Sequence, residues 1–230
     1  MPKIQNIKIA VDAIVFGYQN KQLFVLLIKQ KYGIFENKWV LPGGLVKNEE
    51  ALTNAVVREL KEEAGITVNY LEQLFTFGDD IKRDPRNRVI SVAYFALVNP
   101  QKLVLKADTD AKDVAWFTLN EIPKLPFDHN LIITKAVNRL KSKLHYQPIG
   151  FDLLPKYFPF SDIENLYKTI LNRNIDRRNF RKKMLSFDIL KETNQIQKNN
   201  TGRPAKLFQF NYNKYKELEE KGFHFEIKFA

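Results

Sequence analysis

Ile7, Ile9, Val11, Ala13 and Val15 alternate with Lys8, Ala10 and Asp12, a period of two that predicts a strand with one face turned inward. LFVLLI at 23–28 is apolar on both faces and predicts a more deeply buried strand. KWVLPGG then ends a third strand in a Pro-Gly-Gly turn. Over 50–64 the spacing becomes helical, and Gly65 stands where a left-handed residue would stop the helix. Strand-like runs follow at 66–77, 88–98 and 113–118. Asp128 opens a second helix, in which Ile132, Ile133, Ala136, Val137, Leu140 and Leu144 share one face. The pattern up to residue 145 is that of an α/β domain, a mixed sheet with two principal helices.

HYQPIGFDLLPKYFPF at 145–160 has three prolines and no clear period, which places a domain junction there and divides the chain into 1–146 and 147–230. Beyond it, Ser161 is expected to cap an amphipathic helix carrying Ile163, Leu166, Tyr167, Ile170 and Leu171. A short turn leads to a second helix over 176–186, capped by Asp176. DILKETNQIQ and PAKLFQF then read as two strands joined by the polar loop KNNTG. Helix, tight turn, helix, hairpin is the order of a winged helix-turn-helix.

A length of 230 residues suits two domains, and no apolar run approaches the ~18 residues of a membrane span. The first residues lack the apolar core of a secretory signal, so the expectation is a cytoplasmic chain with no membrane partner. The absence of cysteine excludes disulfides, thiolate chemistry and Cys-ligated zinc. A net charge of +11 points to a polyanionic partner only if the charge is concentrated. It is: residues 173–206 hold ten basic residues against three acidic ones.

The strongest chemical signal runs Gly44, Glu50, then Arg58-Glu59-Leu60-Lys61-Glu62-Glu63-Ala64-Gly65-Ile66. On a helix Glu59, Glu62 and Glu63 fall at i, i+3 and i+4, so their carboxylates converge on one face. Such a cluster is repulsive without a cation, and hard oxygen donors suit Mg²⁺ or Mn²⁺. Glu50 extends the candidate metal set, and Arg58 can orient a carboxylate by a bidentate contact. Gly43 and Gly44 let the backbone, and with it a phosphate, approach the helix. Arg83, Arg86 and Arg88 form a candidate clamp for pyrophosphate or a terminal phosphate. Trp39 and His129 read as packing or capping residues.

This stretch resembles the Nudix box, G-x5-E-x7-R-E-U-x-E-E-x-G-U with U a bulky aliphatic, and every specified position agrees. The resemblance implies a Nudix α/β/α sandwich around a mixed sheet, acting on nucleoside diphosphates linked to another moiety. It implies Glu59 and Glu63 as principal metal ligands, Glu62 as an additional ligand or water-orienting base, Glu50 as an outer ligand, and Arg58 as their positioner. The arginine-bearing stretch after residue 82 is similar to one in Nudix proteins that handle ADP-ribose and in their regulatory relatives.

In the basic helix Phe180, Met184 and Phe187 share a buried face, and Arg177, Arg178, Arg181, Lys182 and Lys183 are the candidate DNA-binding residues. Arg177 and Arg181 are expected to reach bases and Lys183 a phosphate, with Arg203 in a wing formed with Asn199, Asn200, Thr201 and Gly202. The region resembles the winged helix of the Nudix-related transcriptional regulators, in which a dimer binds an operator and an effector such as ADP-ribose occupies the Nudix domain. Many members of that family have a degraded box, whereas here it is intact, which leaves both turnover and mere effector binding open. The favoured expectation is a homodimeric DNA-binding regulator whose Nudix domain binds ADP-ribose or a relative. The competing one is a Nudix pyrophosphohydrolase whose basic domain serves dimerisation or loose polyanion binding; a third is a binding module without turnover.

Overall fold

The alternation that opens the sequence becomes the centre of a sheet. The computed structural model describes residues 6–107, 110–197, 204–222 and 224–230, and divides into two units, Met1–Gln19 with Leu23–Asn138 and Asn20–Gln22 with Arg139–Ala230. The first contains strands β1 (Lys8–Gln19), β2 (Gln22–Gln30), β3 (Trp39–Val40), β4 (Gly43–Leu45), β5 (Tyr70–Phe77), β6 (Val89–Val98) and β7 (Ala111–Thr118). Its helices are α1 (Leu52–Ala64) and the first half of α2 (His129–Tyr146). The division falls inside α2, ahead of the proline-rich stretch at which the sequence suggests a junction.

The strand order is β3-β2-β1-β6-β5, with β4 also on β1 and β7 on β2. β1 and β6 are parallel, whereas β4, β5, β3 and β7 pair antiparallel, so the sheet is mixed. Val11, Ala13 and Val15 of β1 bury one face against Ala55, Val56, Leu60 and Ala64 of α1. Burial of a Val or Leu side chain stabilises by roughly 1.5–3 kcal/mol, enough for this face to fix how α1 lies. Gly65 ends α1 at φ 68, a left-handed conformation that a Cβ would strain, and its N–H returns to the last carbonyls. The glycines after Pro42 do more than turn: Gly43–Leu45 pairs with Ala10–Asp12. A Cβ on Gly43 would sit 2.2 Å from the Val11 carbonyl oxygen, so the close pairing requires glycine.

The second unit contains β8 (Phe158–Pro159), α3 (Phe160–Leu171), α4 (Arg177–Ser186), β9 (Leu190–Gln197), β10 (Ala205–Phe210) and α5 (Tyr212–Lys221). β8, β10 and β9 form an antiparallel sheet. Asp176 caps α4 by accepting the Asn179 N–H at 3.1 Å. Ser161, expected as the cap of α3, is instead its second residue. Phe158–Pro159 is drawn into pairing with β10, so the helix starts directly from Pro159 with no side-chain cap. Phe160, Tyr167 and Phe180 join α3 to α4 in an aromatic core. The wing loop with Asn199, Asn200, Thr201, Gly202 and Arg203 lies outside the described residues. No described helix is long and apolar enough to cross a membrane.

Candidate functional site

The box helix delivers its carboxylates to the glycine strand. Glu59 and Glu63 are buried on α1, facing Gly44 and Gly43. Glu63 Oε2 accepts the Gly43 N–H at 2.8 Å, and a Cβ on Gly44 would meet Glu59 Oε1 at 2.3 Å. Gly44 therefore makes room for the Glu59 carboxylate, while Gly43 permits the close pairing with β1 that aims its N–H at Glu63. Arg58 gathers the others: its Nε and Nη2 donate to Glu50 at 2.6 and 2.8 Å, and its Nη1 donates to Glu59 at 2.6 Å and Glu62 at 3.2 Å. Glu50 lies outside α1 and is turned back by the Lys47 N–H at 3.1 Å.

The charges respond accordingly. Hydrogen bonding from Arg58 lowers the Glu50 carboxyl to about 2. Burial raises Glu59 despite Arg58, and burial with neighbouring carboxylates raises Glu63 to about 8. Among the described residues no three carboxylate or imidazole groups already close around one point, because three of the four box glutamates are drawn onto Arg58. The donor set nevertheless fits a hard divalent cation: all-oxygen, acidic, and exposed to a cavity of about 520 Å³ lined by Gly43, Gly44, Glu59 and Glu63.

The three arginines of the candidate clamp have different fates. Arg83 is buried and forked onto Asp128 at 2.6 and 2.9 Å, with Asp12 at 3.3 Å. Arg86 is half exposed and held by Asp84, but it lines the cavity and lies over Phe127. Arg88 donates to the Gly78 carbonyl at 2.8 Å, and its Nη1 is buried without a hydrogen-bond partner. Arg86 is thus the clamp residue best placed to meet a ligand.

Behind the cavity lies a polar network that sequence reasoning did not assemble. Ser91 Oγ donates to Asp12 Oδ2 at 2.5 Å. His129 Nδ1 accepts the Leu41 N–H at 3.0 Å, which leaves the ring proton on Nε2, 3.5 Å from Asp12 Oδ1. Burial alone would raise Asp12, but His129, Ser91 and Arg83 bring it down to about 2. The network pins Leu41, two residues before Gly43, and so fixes the glycine strand that receives Glu63. One signal was available: Asp12 is the charged residue inside the otherwise apolar 11–16 run.

In the second unit α4 presents its cations in three directions. At about 100° per residue, Phe180 and Met184 point to the core, Arg178 and Lys182 point directly away, and the remaining cations flank them. On one flank Arg177 Nε pairs with buried Glu164 at 3.0 Å, and Arg181 lies over the Phe160 ring at 4.6 Å. On the other flank are Asn179 and Lys183. Arg203 is among the residues not described.

A mixed sheet between two helices, with carboxylates gathered at a glycine strand, defines a Nudix-type domain, here joined to a winged helix. The family models agree: the NUDIX domain matches residues 7–138, and the NrtR DNA-binding winged helix domain matches residues 150–210. The chain belongs to the Nudix family. It is 34% identical to the ADPR responsive transcriptional repressor NtrR of Acinetobacter baylyi, over 87% of this chain and 80% of that protein. It is 42% identical to the ADP-ribose pyrophosphatase of Methanocaldococcus jannaschii, over 54% of this chain and 70% of that one. The crystal structure of Shewanella oneidensis NrtR complexed with a 27mer DNA superposes with a TM-score of 0.79 at 28% identity, covering 95% of this chain and 98% of that chain.

Proposed function

We propose that this chain is a DNA-binding transcriptional regulator whose Nudix domain binds ADP-ribose or a related nucleoside diphosphate sugar and hydrolyses it with Mg²⁺ or Mn²⁺. It acts in the cytoplasm as a homodimer on an operator in double-stranded DNA. The observation that carries this reading is the conjunction, in one chain, of an intact box at a cavity of about 520 Å³ and a helix-turn-helix whose outward face is cationic. The similarity to an ADPR responsive repressor along most of both chains supports it.

Glu59 and Glu63 would hold the metal at the glycine strand, with Glu62 and Glu50 adjoining. When bound, the cation stabilises charge developing on the pyrophosphate oxygens as a water attacks phosphorus. The chain's own residues do the positioning. Arg58 keeps Glu50, Glu59 and Glu62 in register, and Gly43 N–H holds Glu63. Arg86 offers a cation at the cavity wall, and the Asp12–Arg83–Asp128 cluster stiffens the loop behind it. In this reading the Nudix domain spans 1–146 and the winged-helix domain 147–230.

A gel shift with DNA from the chain's own promoter region, with and without ADP-ribose, tests the regulator. Sequence-dependent binding altered by ADP-ribose is expected. Binding indifferent to sequence would leave the reading favoured by the box alone, a Nudix pyrophosphohydrolase with a polyanion-binding domain.

A further inference from the structure

The segment 224–230, which lies outside the winged-helix match, is fastened to the turn of the helix-turn-helix. Ile175 forms a bridge with Phe229, the Asp176 N–H donates to the Lys228 carbonyl at 3.0 Å, and the Ala230 N–H donates to the Asn174 carbonyl at 3.2 Å. Phe225 and Ile227 are buried, and Arg173 covers the Phe229 ring at 3.9 Å. Asp176 is the residue that caps α4, so the segment's backbone is bonded to the cap of the basic helix. Alternation along the segment then turns Glu226 and Lys228 outward beside α4.

The result is a cavity of about 230 Å³ lined by Asn179, Lys182, Lys183, Ser186, Glu226 and Lys228. It sits on the flank of α4 opposite Arg177 and Arg181. A helix in the major groove meets bases at its tip and the two phosphate backbones at its flanks. The Arg177 flank is already committed to Glu164 and Phe160, whereas on the other flank the Lys183 amine has, among the described residues, only the Phe187 ring at 5.1 Å, and amine and amide donors surround an open space. Its three ammonium groups outweigh the single carboxylate of Glu226.

We propose that this groove between α4 and the 224–230 segment docks a phosphodiester of the DNA backbone, with Lys228 and Lys183 as its cations. The segment then supplies a phosphate contact to the same helix that reads bases, and Glu226 moderates its strength. This rests on the DNA-binding reading above, so the experiment must separate the two.

The test is fluorescence anisotropy of the full chain with two labelled duplexes, one from its own promoter region and one scrambled, across a salt series. Lys228→Ala should weaken binding to both duplexes by about three- to tenfold and flatten the log–log salt slope by about 0.9 per chain bound, one phosphate's worth of released counterions. Lys228→Arg should restore both quantities, and Glu226→Gln should tighten binding. Arg178→Ala, the control, should lose affinity for the promoter duplex selectively. If Lys228→Ala binds with unchanged affinity and slope while Arg178→Ala is impaired, the phosphate site is wrong and the DNA-binding reading stands. If the unmutated chain binds neither duplex, both fall. Failure of Lys228→Arg to restore binding would also overturn the site, because charge would not be what Lys228 supplies. Lys228 is exposed, and circular dichroism of each variant checks the fold. Should Lys228→Ala nonetheless unfold, the tightening by Glu226→Gln decides.

Discussion

The two units handle charge in opposite ways. At the Nudix site acidic and basic groups are buried or half-buried together and compensate one another: half-buried Arg58 serves Glu50, Glu59 and Glu62, and buried Arg83 serves Asp12 and Asp128. On α4 the cations at the tip are exposed, and among the described residues the ion pair of an α4 cation with a buried carboxylate is on the Arg177 flank. Buried pairs are preorganised and costly to break, whereas exposed cations are screened, cheap to remove and sensitive to salt. The first unit should therefore answer mutation chiefly in stability and turnover, and the second chiefly in DNA affinity and its salt dependence.

The largest effect expected from this contrast follows removal of a buried cation. Arg83→Met strips the fork from Asp128, leaves Asp12 with only Ser91 and His129, and should destabilise the first unit by about 3–5 kcal/mol. Both tryptophans, Trp39 and Trp116, lie in that unit, so their fluorescence during denaturant unfolding reports on it alone. A loss under ~1 kcal/mol would show that the network is not holding the unit together. The acid limb of the same curve has a defined sign. Asp12 is lowered to about 2, so the stability it contributes is fully present above its ordinary value of 3.8 and is lost as pH falls through about 2. Asp12→Asn should flatten that limb.

Next in size is the chemistry. Glu63→Gln keeps an oxygen to accept the Gly43 N–H but removes the carboxylate oxygen, and the charge it would carry with a cation bound, at the cavity. Metal-dependent hydrolysis of ADP-ribose, read by phosphate release from the product, should fall by roughly 10²-fold or more. DNA affinity without effector should not change. Unaltered turnover would mean that the box does not hold the metal.

These two predictions differ in how far the sequence foretold them. Glu59, Glu62 and Glu63 were legible because a helix converts spacing into direction, and Gly65 and Asp176 because caps are local chemistry. The Asp12–Ser91–Arg83–Asp128–His129 network was not, because its members lie up to 117 positions apart and meet only through strand pairing. For the same reason the pairing of Arg83, a candidate for the phosphate clamp, with Asp12 and Asp128 was not legible either. The start of α3 was misread because Ser161 is a good capping residue by type, while the pairing of Phe158–Pro159 with β10 moves the helix start. Nothing periodic in 224–230 announced that it would meet Ile175.

Within the second unit the contrast predicts a graded series. Arg178 projects directly away from the core, so Arg178→Ala should cost about 1–3 kcal/mol of affinity for the promoter duplex, with a smaller loss on scrambled DNA. Equal losses on both duplexes would make Arg178 a phosphate contact.

Arg177 should matter least, although the sequence pattern alone makes it, with Arg181, a residue expected to reach bases. Its guanidinium is turned to Glu164, a buried carboxylate that also has Lys168 at 2.8 Å. Arg177→Ala therefore leaves Glu164 paired, and the Arg177 side chain is 74% exposed, so its ion pair is worth under ~1 kcal/mol. On DNA the same variant should shift affinity by less than about threefold, since an arginine held on the α3 side must first give up Glu164 to reach a base. The measurement is the Arg177→Ala and Arg178→Ala pair on both duplexes at one salt concentration. A sequence-dependent loss for Arg177→Ala as large as that for Arg178→Ala would mean that DNA pulls Arg177 away from Glu164. The compensated flank would then be part of the reading head, and the division between paired and unpaired cations on α4 would not survive binding.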